Sequence, residues 1–241
     1  MKTENASLQA QQALLLNHRS DFFTREAAKT LRTNVSFALE QVKGGRVVQV
    51  TSSLAGEGAS LTAANLALAF AQAEKRVLLV DCDLRRPRLG QLLELEAPLG
   101  LSSVLTDPDT CTAAILSTEE PHLSVLLAGA VPQNPSELLG SARMHQLLEA
   151  LRQSFDYVIL DSAPVNAVTD SVVLASACDG VLLTVRAGKT RQTAVKQAVQ
   201  RLESAHVKPL GFVLQDAPRK NGWLNRRKNG SYAGKFDYEL L

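Results

Sequence analysis

The stretch Arg46-Val47-Val48-Gln49-Val50-Thr51-Ser52-Ser53-Leu54-Ala55-Gly56-Glu57-Gly58-Ala59-Ser60-Leu61-Thr62-Ala63-Ala64-Asn65 decides the fold. A β-branched apolar run opens it, two glycines break it and small helix-forming residues close it, which reads as buried strand, tight turn and helix start. That order fits a loop whose backbone N–H groups cradle phosphates, in the pattern Gly-x-x-x-x-Gly-Lys-Ser/Thr, where the hydroxyl binds Mg²⁺. Gly58 and Ser60 keep their places in it, whereas Ser53 stands at the first glycine and Ala59 at the lysine. By itself Gly56-Glu57-Gly58 suits a plain strand-to-helix turn equally well, because glycine adopts φ > 0 freely.

The acidic strand ends downstream change that balance. Val77-Leu78-Leu79-Val80 is a continuous apolar run suited to a strand buried on both faces, and it ends at Asp81-Cys82-Asp83. Tyr157 to Leu160 repeats the pattern and ends at Asp161, and Leu123 to Leu127, Val181 to Val185 and Gly211 to Leu214 are further short strands. Helical stretches are expected over Asp21 to Gln41, Ser60 to Glu74, Ser136 to Ser154, Thr169 to Ala177 and Thr190 to His206. Strands alternating with helices predict an α/β fold, a mainly parallel sheet flanked by helices on both faces, of P-loop NTPase type. Ligands of such sheets bind at the carboxyl ends of the strands, where the loop, Asp81, Asp83 and Asp161 all fall. A carboxylate there needs a partner, either a helix N-terminus that it caps or a metal ion. A hydrated Mg²⁺ held by Ser60, one or both of Asp81 and Asp161, and the nucleotide phosphates is the sharper alternative.

The 241 residues suit one domain with tails, and a formal net charge of +2 gives no argument for nucleic acid. Cys82, Cys111 and Cys178 are odd in number and widely spaced, and His18, His122, His145 and His206 form no ligand cluster, so neither disulfides nor zinc are indicated. No secretory leader pattern opens the chain and no apolar run approaches the ~20 residues of a membrane span, which predicts a cytoplasmic protein. Residues 1–20 are expected to form a flexible arm, 21–216 the folded domain, and 217–241 a flexible tail with six basic residues against two acidic ones.

With these motifs in place the chain resembles the bacterial protein-tyrosine kinases, or BY-kinases. Val77 to Pro87, with Asp81-Cys82-Asp83-Leu84-Arg85-Arg86, is similar to their second Walker motif, and Tyr157-Val158-Ile159-Leu160-Asp161-Ser162-Ala163-Pro164 to their Walker B strand. Asn134-Pro135-Ser136-Glu137-Leu138-Leu139 and Val168-Thr169-Asp170 also match. Glu26, Lys29 and Arg32 resemble the family's oligomerisation motif Glu-x-x-Arg-x-x-Arg, with Lys29 at the first arginine; an intrahelical Glu26/Lys29 pair is the other reading.

The resemblance implies a cytoplasmic kinase domain that forms homo-oligomers and works with a membrane adaptor in exopolysaccharide biosynthesis, using ATP with Mg²⁺ to phosphorylate tail tyrosines of a neighbouring subunit. Carried over residue by residue, backbone N–H groups of Gly56, Glu57, Gly58, Ala59, Ser60 and Leu61 hold the phosphates of ATP or ADP. Asp81 orients or deprotonates the attacking hydroxyl, and Asp83 and Asp161 hold the metal or its waters. Tyr232 and Tyr238 are the phosphoacceptor candidates. The lysine's place falls on uncharged Ala59 and a usual hydroxyl's place on Leu61, which predicts weak or absent kinase activity unless Arg85 or Arg86 supplies the charge; a structural regulator of the export complex that binds no nucleotide is the third reading.

Overall fold

A computed structural model describes residues 8–17 and 20–217. The expected tail from residue 218 on, with Tyr232 and Tyr238, lies outside the described residues, as do His18 and the first seven positions.

Helix α1 (Phe22–Ala38) starts at Asp21, whose carboxylate accepts the Thr24 N–H, and it buries Ala28 and Val35. It leads to β1 (Arg46–Ser52) and α2 (Ala59–Ala71), then to β2 (Val77–Asp81). Between β2 and the next strands the chain forms α3 (Leu89–Leu93), α4 (Leu101–Thr106), α5 (Cys111–Ala114), β3 (Ile115–Ser117) and β4 (Leu123–Leu126). Helices α6 (Pro135–Leu139) and α7 (Ala142–Ser154) precede β5 (Tyr157–Asp161), and α8 (Asp170–Ala175), β6 (Gly180–Arg186), α9 (Gln192–Ser204) and β7 (Gly211–Gln215) complete the described chain.

The sheet has the order β3-β4-β2-β5-β1-β6-β7. Every pairing is parallel except β3 with β4. The central strands are buried throughout because helices cover both faces. On one face α1, α2 and α3 pack over Val48, Val50, Leu79 and Ile159. The alternate residues Val47, Leu78, Val80, Val158 and Leu160 meet α4, α7 and α8 on the other. Helix α2 has so many small residues that it lies close on the sheet, and Phe70 and Leu66, fully buried, each contribute roughly 1.5–3 kcal/mol.

One expectation changes. The stretch Ser136 to Ser154 is two helices, because the first stops at Gly140 and the second starts at Ser141, whose hydroxyl accepts the Met144 N–H. In the described part of the arm the Leu16 N–H bonds Asn65 Oδ1 at 2.8 Å, Asn65 Nδ2 returns a bond to the Leu14 carbonyl, and Leu16 is buried against Ala28 and Ala69.

Candidate nucleotide site

β1, β5 and β2 lie side by side and end together, and their carboxyl ends carry the candidate residues. The register pairs Asp81 with Asp161 directly, and Val50 of β1 with Asp161. Above them the loop turns into α2 through two left-handed glycines, Gly56 at φ 82° and Gly58 at φ 84°, a conformation that side-chain-bearing residues avoid. Gly58 caps α2 without any side-chain acceptor, so the first N–H groups of this helix are available to an anion. The result is a cleft of about 360 Å³ lined by Gly58, Ala59, Ser60, Asp83, Arg86 and Arg88 among others.

Glu57 does something the sequence pattern did not suggest. Its carboxylate is buried and accepts the Ser53 N–H, the Ser53 hydroxyl and the Leu54 N–H at 2.9, 2.7 and 3.0 Å. Its other oxygen accepts the Thr190 hydroxyl. The side chain therefore clamps the loop from within and ties it to the segment after β6, leaving only the Glu57 backbone to meet a ligand. Ser53, at the position of the pattern's first glycine, is the residue that this clamp grips.

The two strand-end aspartates differ. Both oxygens of Asp81 accept backbone N–H groups, from Asp83 on one and from Arg88 and Leu89 on the other, all at 3.1 Å. Burial pushes its pKa up to about 7 against those bonds, with the neighbouring Asp83 charge adding to the rise. Asp161 is fully buried, and its Oδ2 has no hydrogen-bond partner. Burial and then the Asp81 charge hold its pKa well above the usual carboxylate range, opposed by a hydrogen bond from Ser60. A buried orphan oxygen beside a hydroxyl at the head of α2 is what a Mg²⁺ would satisfy, and Mg²⁺ takes one or two carboxylates, waters and phosphates rather than an all-protein cage.

Among the described residues no three His, Cys, Asp or Glu side chains converge as a metal cage. The expected set of Ser60 with Asp81, Asp83 and Asp161 is thus not assembled as one cluster: Asp81 caps its own loop, and Asp83 Oδ1 accepts the Arg86 N–H. Ser60 and Asp161 are the pair that fits the metal.

Arg85 is not available to replace the missing lysine. Its Nε and Nη2 make a two-pronged pair with Asp170 at 2.8 and 3.0 Å, and Ser136 donates its hydroxyl to the same carboxylate. Burial raises the Asp170 pKa, but the bonds from Arg85 and Ser136 outweigh it and hold the group below its ordinary value. The matched segments around Ser136 and Asp170 are joined by this pair to the loop after β2. At α1 the Glu26–Lys29 pair closes within the helix at 2.9 Å, and Arg32 reaches the Ala69 carbonyl of α2.

Parallel strands, a glycine loop at a helix start and strand-end aspartates define a P-loop NTPase-type domain. The family model described as an AAA domain, AAA_31, matches residues 45–209. Tyrosine-protein kinase YwqD of Bacillus subtilis (strain 168) is 40% identical over 191 residues, which is 78% of this chain and 79% of the relative. Among solved structures, the chimerical protein CapA2B2 superposes with a TM-score of 0.78 at 34% identity, over 84% of this chain and 88% of that one. The kinase domain of the Escherichia coli tyrosine kinase ETK gives 0.77 at 31%, over 88% and 80%. The chain belongs to the bacterial tyrosine-protein kinase (BY-kinase) family.

Proposed function

We propose that this BY-kinase-family chain binds ATP or ADP with Mg²⁺ and transfers phosphate to tyrosine slowly or not at all, as a cytoplasmic component of an exopolysaccharide export system. The observation that carries this reading is the loop itself: its glycines, the open head of α2, Ser60 and the orphan Asp161 oxygen are present, while Ala59 brings no charge. The backbone N–H groups of residues 56–61 hold the phosphates, and Ser60 and Asp161 hold the metal. Bound Mg²⁺ supplies charge neutralisation on the phosphate oxygens. Family membership gives Asp81 the role of orienting or deprotonating an incoming tyrosine hydroxyl, a role that its two backbone-bonded oxygens do not support in this arrangement. A preorganised donor missing from such a site costs roughly 10²–10³ in rate, because phosphoryl transfer depends on positioning and charge stabilisation.

Family membership supports the remaining parts of the reading, which are a homo-oligomer, a membrane adaptor that recruits the chain to the inner face of the membrane, and Tyr232 and Tyr238 as acceptors. Among the described residues no helix is long and apolar enough to cross a membrane.

Titration calorimetry tests the first half. Mg-ATP or Mg-ADP binds the purified chain, and chelating the metal abolishes or sharply weakens the heat; equal affinity with and without metal removes the Ser60–Asp161 assignment. Ala59→Lys tests the second half, raising phosphorylation of Tyr232 or Tyr238 by about 10²–10³ as read by phosphotyrosine mass spectrometry. A wild type already as fast as Ala59→Lys removes the impaired-kinase reading.

A further inference from the structure

With Ala59 neutral and Arg85 held by Asp170, the phosphates of a bound nucleotide still need a cation. Arg86 and Arg88 are the other guanidinium groups lining the cleft alongside Ala59 and Ser60. The Arg88 backbone is fixed over the end of β2, because its N–H and that of Leu89 both bond Asp81 Oδ2. Asp81 in turn sits in register with Asp161, so the Arg88 side chain departs from a rigid point beside the metal pair. Among the described residues its guanidinium makes no hydrogen bond or ion pair, and it is exposed toward the cleft.

We propose that Arg88 is the phosphate-binding cation of this site, taking over from the loop after β2 the contact that the loop lysine makes in the motif; the proposal rests on the nucleotide-site reading above. The backbone anchors separate Arg88 from Arg86. The Arg88 N–H bonds Asp81, the register partner of Asp161, whereas the Arg86 N–H bonds Asp83 Oδ1 further along the loop. The Arg88 side chain therefore starts closer to the strand ends where the metal and phosphate charges meet.

The chemistry suits the substitution in part. A guanidinium grips phosphate oxygens with two parallel N–H groups, which gives affinity and orientation. Its base lies on a different loop from the lysine's, and its long exposed side chain gives up rotamer freedom to reach the phosphates. Such a cation binds phosphate well but is less preorganised for the transition state, so tight binding and slow transfer coexist in one site.

The experiment is calorimetry of Mg-ADP and Mg-ATP binding to the full chain, comparing wild type, Arg88→Ala, Arg88→Lys, Arg86→Ala and the double variant Ala59→Lys/Arg88→Ala. The substituted side chain is exposed and its capping N–H is kept, so circular dichroism melts of Arg88→Ala should match wild type. Arg88→Ala is expected to weaken nucleotide binding roughly 10–100-fold, the span of a charge-assisted hydrogen bond. Arg88→Lys retains part of the affinity, and Ala59→Lys restores it in the double variant. Unchanged affinity in Arg88→Ala while wild type binds overturns this proposal and leaves the nucleotide-site reading standing. A larger loss in Arg86→Ala moves the charge to that residue and overturns it too, as does a loss that Ala59→Lys fails to restore. Absence of Mg-nucleotide binding by wild type removes both readings together.

Discussion

Glu57 shows how one side chain sets the geometry of a loop whose motif is made of glycines. Four donors converge on its buried carboxylate, two of them backbone N–H groups of Ser53 and Leu54 that have no other partner in reach. Glu57→Ala leaves the Ser53 N–H unpaired inside the fold, while the N–H of exposed Leu54 turns to water. The expected cost is about 1–3 kcal/mol in urea unfolding, the penalty of one buried group left unmet. Glu57→Gln keeps one acceptor and should lose less. Nucleotide affinity falls with both, since the N–H groups of residues 56–61 are aimed by this clamp. A Glu57→Ala protein as stable as wild type would show that the loop is held by its glycines alone. The residue was legible in the sequence as part of a phosphate loop, but its inward direction was not. A motif specifies spacing, while the partner hydroxyl comes from Thr190, more than a hundred positions away.

At the scale of elements the sequence was most legible where burial was complete. Val77 to Asp81 and Tyr157 to Asp161 are apolar runs ending in aspartate, and they became adjacent parallel strands with those aspartates in register. It was least legible from Leu89 to Ser117, where three short helices and an antiparallel edge strand depend on contacts with β4 and α7 rather than on any period of their own. The break at Gly140 has the same origin: a Cβ there would come within 2.6 Å of Val173 Cγ1 in α8, a contact no local pattern announces. Helix α1 makes a further case. Its Glu26–Lys29 pair is exposed and worth only a few tenths of a kcal/mol to the helix, so it can be given up readily to a neighbouring subunit. Arg32, bonded to Ala69, fixes α1 onto α2 and so couples any such interface to the nucleotide loop. Sedimentation with Mg-ADP should show association that rises with concentration, and Glu26→Arg should reduce it. A monomer at all concentrations, with nucleotide and with a membrane adaptor present, would leave the motif as helix surface. Lysine lacks arginine's fork, so the contact should be weaker than one made by two arginines.

For the whole molecule, the two aspartates at the centre of the sheet make stability depend on pH in an uncommon direction. Asp81 titrates near 7 and Asp161 well above the usual carboxylate range, in both cases because burial disfavours the charge. The folded chain thus binds protons that the unfolded chain releases at about pH 4. Stability from these groups is fully present below the unfolded value and is lost as pH rises through the folded one. Asp170 works in the opposite sense: Arg85 and Ser136 lower its pKa, so its contribution disappears only in strong acid, as pH falls through its folded value. Between these limits the metal-free protein should melt higher at about pH 5.5 than at about pH 8, by several degrees, given about 2–4 °C per kcal/mol for a chain of this size. Differential scanning calorimetry in chelator reads this directly. Asp161→Asn removes the buried charge and the orphan acceptor, so it should flatten the profile and raise the melting temperature at alkaline pH. Mg-ADP should flatten it also, because a cation held by Ser60 and Asp161 supplies the positive charge that the proton supplies in its absence, and this effect should vanish in Asp161→Asn. A metal-free profile that rises toward alkaline pH would mean that the two carboxylates are ionised in the folded chain, and that another group already balances their charge.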